Sequence, residues 1–323
     1  GCHEHRTRAP REKYDFSTLE AVQNPADPIT PVPGVPQIFD YMRDIQPIWD
    51  KHCIKCHNYE KFAGKLVLED DINPTYNTSY SSIVHNRLLD IGSSGNRAPY
   101  DGGTGDSRLY EVLVEGHKNV DLSEHEMRMI RTWIDASATF AGSYAAIGDA
   151  SRDNRVPKDL DYTVIENNCH KCHTRSAGKK NASWIKGSEM RREAWMFNVE
   201  HPDKSLILLA PLSKEAGGLG VCMQTEAFHR DVDEAPPAEV FTSKDDPGYQ
   251  VLKEFTMGAI DEYDDRKRWF QEGFEPRDYY IREMKRFGAL PEDFDPETDE
   301  LDPWKTDKRY FDIINEAAIG EWE

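Results

Sequence analysis

Long apolar runs are missing from this chain of 323 residues, and no stretch approaches the roughly 18 consecutive apolar residues that a membrane-spanning helix requires. Positive charge is also scarce. With 40 Lys and Arg against 59 Asp and Glu, the formal net charge is -19, which would repel nucleic-acid phosphates and anionic membrane surfaces. Mean hydropathy is low at -0.75, yet 38% of the residues are hydrophobic, with 7 Trp, 14 Tyr and 13 Phe. That apolar mass excludes wholesale disorder and predicts real cores joined by long polar connections. The length is two to three times that of a typical domain, so more than one module is expected.

Cysteine is sparse too, 6 in all, but its placement carries chemistry. Cys53-Ile54-Lys55-Cys56-His57 and Cys169-His170-Lys171-Cys172-His173 are both C-x-x-C-H, the attachment motif of c-type haem. Two thiols on one turn can form thioethers to the two vinyl groups of one porphyrin, and the next residue then lies under the iron, where His supplies an imidazole. Two C-x-x-C pairs also suit a zinc site. Zinc does not require His directly after each pair, however, and two such placements by chance come to on the order of one in a thousand. A thioredoxin-like redox pair fits less well, because neither motif lies in a βαβ pattern.

The first residues, Gly1-Cys2-His3-Glu4-His5-Arg6, read as the back half of a third motif, and no initiator Met precedes them. This suggests a third haem held by Cys2 and His3, with its first Cys upstream. A lipobox and an isolated Cys at a frayed end are the competing readings; a mature lipoprotein would begin at the Cys and would not keep the Gly.

The surroundings of the motifs predict a mainly α chain of tandem cytochrome c-like haem domains with long loops and an extended acidic C-terminal tail. Phe39, Met42, Ile45, Ile48 and Trp49 lie at helical spacing ahead of the first motif. Ser123 and Glu126 form a capping box for a helix with Met127, Ile130 and Ile134 on one face. Helix, C-x-x-C-H, loop-rich stretch and closing helix is the order of a cytochrome c domain, here residues 37–147. A second such domain, 157–262, repeats the plan, with Asp161–Ile165 before its motif and a closing helix over Pro247–Ile260. Asp106–Tyr110 resembles Asp203–Ile207, which suggests internal duplication. Residues 1–36 form the remnant of a haem motif plus a Pro-rich linker. Residues 263–323 form a tail with one helix from Arg277 to Phe287, expected to wrap the second domain without a core of its own.

Sixth iron ligands separate electron transfer from catalysis. His117, six residues ahead of the Ser123 cap, is the candidate for the first haem, with His85 as rival and Met127 and Met129 as core residues. In the second domain the matching position falls near Lys214 and Glu215, so His201 is preferred, then His229, with Met196 and Met223 behind. The proximal ligands are His57 and His173. His52 and His170 point away from their own irons and are expected to hydrogen-bond a propionate. Cys222 reads as a buried thiol.

The run Phe39–His57, followed by Gly116-His117 and Thr132-Trp133-Ile134-Asp135-Ala136, resembles the C-terminal cytochrome region of hydrazine synthase alpha-subunit-like proteins. The opening residues are similar to the haem motif that follows the β-propeller in that family, and 157 to about 290 is similar to an extra haem domain of some relatives. The resemblance implies covalent haem c, an extracytoplasmic location and a larger assembly. It does not imply hydrazine synthesis, since nothing near Thr7 reproduces an alternative iron ligand.

Two functional classes follow. In the first, favoured because both complete sites offer a sixth ligand, the protein transfers electrons, and its acidic surface steers a basic redox partner. In the second, one haem is open and catalytic, as in a nitrogen-compound oxidoreductase or a dihaem peroxidase, with Glu200 and His229 assisting. Haem attachment to C-x-x-C-H places the protein in the periplasm or otherwise outside the cytoplasm.

Overall fold

The computed structural model describes residues 20–24, 30–90, 98, 101–143, 162–169, 174–175, 182–183, 194–223, 237–238, 240–261, 269, 271 and 274–320. The chain divides into two compact units, Gly1–Gln37 and Ile38–Glu323. In the first, α1 (Glu20–Gln23) is a single helical turn, and Val35 N–H closes a second turn on the Val32 carbonyl. The second unit is mainly helical. Its sheet structure, among the described residues, is limited to two antiparallel pairs of two residues each and two isolated bridges.

Two short helices lead to the first cysteine motif where the spacing predicts one. Asp40 caps α2 (Tyr41–Asp44) by accepting from Arg43 N–H, while Asp44 accepts from Asp40 N–H at 2.8 Å. Pro47 has no N–H with which to continue that helix, so the chain breaks at Ile45 and restarts as α3 (Gln46–His52). Next come α4 (Thr78–His85), capped by the Asn77 side chain, α5 (Arg108–Glu115) and α6 (Glu124–Asp135). The predicted capping box is present in α6: the Ser123 side chain accepts from Glu126 N–H, and the Glu126 carboxylate accepts from Ser123 N–H at 2.8 Å. The apolar faces meet in a core with Ile45, Trp49, Ile130, Trp133 and Ile134 buried. The Tyr41 ring sits at its centre, 5.1 Å from Tyr80, 5.4 Å from Trp133 and 5.7 Å from Phe140.

Asp40 is itself buried, and desolvation pushes its carboxyl up to about 6 despite the Gly142 and Arg43 N–H groups that it accepts from. A carboxyl raised above its unfolded value favours the fold while protonated, and that contribution is lost as pH rises through the folded value. Asp40→Asn keeps a capping oxygen and removes the charge. It is expected to stabilise the protein by about 1–3 kcal/mol at pH 7 and to be near neutral at pH 4; urea melts at the two pH values check this.

Among the described residues of the second half, 162–261, three α-helices follow. α7 (Thr163–Cys169) ends on a motif cysteine, just as Cys53 directly follows α3. Ser205 precedes α8 (Leu206–Leu209) as Ser107 precedes α5, and this is the pair of segments whose sequences match. α9 (Pro247–Asp261) closes the half as α6 closes the first. Val164 and Ile165 of α7 pack with Leu252, Phe255 and Ile260 of α9, and Tyr162 meets Phe255 at 5.2 Å.

A continuous seam joins the halves. Tyr59 and Val67 cluster with Leu209 and Leu219, and Val199 N–H donates to the Ile72 carbonyl at 2.8 Å. The tail differs from expectation in having a core of its own. In α10 (Asp278–Arg286), Tyr280, Ile281 and Met284 pack with Leu290 and Phe294 and against Tyr310 of α11 (Pro303–Gly320). Its Trp304 ring lies 4.7 Å from the Arg43 guanidinium, a contact with the first half.

Candidate functional site

The first cysteine motif occupies one tight turn at the end of α3. Cys53 N–H donates to the Trp49 carbonyl at 2.7 Å, and the N–H groups of Cys56 and His57 both donate to the Cys53 carbonyl at 3.0 Å. Both thiols and the imidazole therefore project from a single loop of backbone. Cys53 is half-buried and Cys56 exposed, with no disulfide between them. Burial pushes the Cys53 thiol up to about 11, helped by Asp50 and Cys56, so it is a protonated thiol at neutral pH.

A second turn then folds back onto the motif. Phe62, Gly64 and Lys65 all have left-handed φ values, 44°, 63° and 58°. Ala63 N–H reaches the Cys56 carbonyl at 3.3 Å, and Leu68 N–H reaches the His57 carbonyl at 2.8 Å. This brings the Ala63 carbonyl 2.8 Å from His57 Nδ1. A carbonyl only accepts, so Nδ1 carries the proton and Nε2 keeps its lone pair. Burial, together with the neighbouring His117, lowers the His57 pKa and favours that neutral ring.

His117 comes from the far side of the site. α5 ends at Gly116, whose φ of 91° suits glycine, and Lys118 and Asn119 then adopt φ values of 48° and 61°. Val120 N–H closes the turn on the His117 carbonyl at 2.8 Å. The His117 ring faces His57 with centroids 5.9 Å apart and planes 25° from parallel. Beside it opens a cavity of about 380 Å³ lined by Leu113, Val114, Val120, Leu122 and Met127.

Two thiols in one turn with two imidazoles nearby are the donor types that a covalently attached haem would use. The His57 Nδ1–H bond to a backbone carbonyl is the outer-sphere contact that orients a ligating imidazole. The cavity beside the second imidazole is of mixed character, with Asp121 among its apolar side chains.

The other sequence candidates fall elsewhere. His85 stacks on Trp195 with centroids 4.0 Å apart, in van der Waals contact and not facing His57. His52 gives its ring to Glu126, with Nε2 at 3.0 Å, where a propionate partner was expected. Lys51 reaches the same carboxylate at 2.8 Å, and this pair, first among several contacts, holds Glu126 well below the usual carboxylate range. Met129 is buried in the core as expected, whereas Met127 lines the cavity beside His117.

In the second half, Cys169 is half-buried at the end of α7 against the core. His201 has 57% of its side chain exposed, and its Nε2 lies 3.6 Å from Asp71 of the first half. Met196 is buried in the second core. Cys222, expected buried, is half-buried on a two-residue strand with Met223. Cys2, His3, His170, Cys172, His173 and His229 lie outside the described residues.

Ala63 and Gly64 are the site residues that spacing arguments missed. Their only sequence signal is a glycine seven residues after His57. No protein-family model matches the chain, and no curated protein or solved structure shows significant similarity to it.

Proposed function

We propose that the chain is a multihaem c-type cytochrome that transfers electrons. Cys53 and Cys56 would hold the first haem as thioethers, with His57 and His117 as its two axial ligands. The observation that carries this reading is the facing of those two rings at 5.9 Å, with His57 oriented through Ala63. The bound group would supply the one-electron couple. The protein would supply the ligands and the hydrogen bond that sets the His57 tautomer. With His57 and His117 both bound, the group would have no position left for substrate and would favour its ferric form relative to a His/Met pair.

Cys169, Cys172 and His173 would hold a second haem, with His201 or His229 as sixth ligand, and Cys2 with His3 a third. A helix leading into each cysteine motif and the paired Ser-led helices support two cytochrome c-like halves. The charge of -19 supports a partner that is basic where it docks, and haem attachment supports an extracytoplasmic site of action. The sequence resemblance to hydrazine synthase alpha-subunit-like proteins supports membership of a larger redox assembly.

The test is expression with haem c maturation, followed by a pyridine haemochrome assay. At least two covalent haems per chain are expected, with low-spin spectra unchanged by azide. Fewer than two would end the reading, and a high-spin fraction that binds azide would move it to an open-iron enzyme.

A further inference from the structure

Along the seam, a cavity of about 590 Å³ gathers positive charge, the sign in the minority on this chain. Lys61, Lys65, Lys204, Lys214 and Lys244 line it, against Glu60 and Asp203. Asp203 is drawn onto Lys253 at 2.9 Å, and Lys204 is shared with Asp71 at 3.5 Å and Glu69 at 3.9 Å. Lys61 donates to the Lys55 carbonyl at 2.7 Å. Lys65, Lys214 and Lys244 are exposed and, among the described residues, without a carboxylate partner, so their charge is free to meet an anion.

The backbone holds this arrangement. The turn after Ser213 is closed by Gly218 N–H on the Ser213 carbonyl at 2.8 Å and Gly217 N–H on the Lys214 carbonyl at 3.0 Å. A Cβ on Gly218 would lie 2.2 Å from the Leu212 carbonyl oxygen, so only glycine fits there. Gly217, at φ 87°, passes beneath Lys244, whose Nζ lies 3.8 Å from where a Cβ would be. Under the lysine rim the floor is apolar, formed by Tyr59, Phe62, Leu209, Leu219 and Val221.

A cationic rim above an apolar floor selects for a particular ligand chemistry. We propose that this cavity binds an organic anion with an apolar body and at least two negative charges. A compact inorganic anion would satisfy the rim and leave the floor wet. An apolar monoanion would leave most of the rim uncompensated.

Calorimetric titration of the full chain with naphthalene disulfonate, and separately with pyrophosphate, tests this. One saturable site per chain is expected for the disulfonate, roughly 10-fold tighter than for pyrophosphate, with affinity falling as salt rises. Lys214→Glu with Lys244→Glu is expected to weaken disulfonate binding by at least about 10-fold. Both side chains are exposed, so the double variant should keep the wild-type circular dichroism spectrum and melting temperature. Absence of saturable disulfonate binding would overturn the proposal. So would affinity that survives the double charge reversal, or pyrophosphate binding as tightly as the aromatic dianion.

Discussion

Replacing His117 by Ala in the haem-loaded protein is expected to turn the first haem from low-spin to high-spin and open it to azide, one per chain. The expectation rests on geometry. His117 is the ring nearest His57, and Met127 lines the adjoining cavity. The turn that carries His117 is set by Gly116 and by the left-handed Lys118 and Asn119, none of which the substitution touches. Global stability should therefore change little, and the spectral change reads ligation and not folding. Added imidazole should restore the low-spin spectrum by occupying the space left by the side chain. His85→Ala is the matched control. Its loss breaks a stack with Trp195 worth about 1 kcal/mol, and the spectrum is expected to stay low-spin. If His117→Ala stays low-spin and azide-insensitive, His117 is not the sixth ligand. If His85→Ala is the variant that changes, the two histidines exchange roles.

The elements that spacing predicts were those fixed by local chemistry. The α6 capping box, the closing helix found at Pro247–Asp261 and the tail helix found at Asp278–Arg286 follow from a hydroxyl, a carboxylate or an apolar stripe within a few residues. His117 was legible as a candidate because the ends of cytochrome helices constrain where a sixth ligand can stand. The hidden features are set by contacts distant in sequence or by backbone conformation. The Ala63 carbonyl acts through its main chain and has no side-chain signature. The His52 partner is hidden because Glu126 lies 74 residues away. The tail core hides because its apolar residues, from Tyr280 through Leu290 and Phe294 to Ile313, are diluted among acids and prolines. His201 reads as a ligand in isolation, yet its ring approaches an acid of the other half. The same seam brings the five lysines of the cavity together from segments more than a hundred residues apart.

Asn198→Ala is expected to cost about 2–4 kcal/mol, a large loss for one small side chain, because of what it leaves behind. Asn198 is buried at the seam. Its amide nitrogen donates to Asp71 Oδ2 at 2.8 Å and to the Tyr59 hydroxyl at 3.0 Å, and its oxygen accepts from His201 N–H at 2.7 Å. One side chain of the second half thus satisfies two buried polar groups of the first and fixes the turn that begins at His201. With the amide gone, the buried Asp71 carboxylate retains, among the described residues, the longer contacts to Lys204 at 3.5 Å and His201 at 3.6 Å. Leu209 and Leu219 still pack on Tyr59 and Val67, so the variant should fold. At 2–4 °C per kcal/mol, typical of chains somewhat smaller than this one, its melting temperature should fall by about 5–15 °C. Lys253→Ala sets the scale for an exposed contact. Its partner Asp203 is 75% exposed, and the loss is expected to be below about 0.5 kcal/mol. Equal, small shifts for the two variants would mean that the halves do not depend on the Asn198 network for their union. A large shift confined to Asn198→Ala would mark that network as the polar clasp of the 38–323 unit.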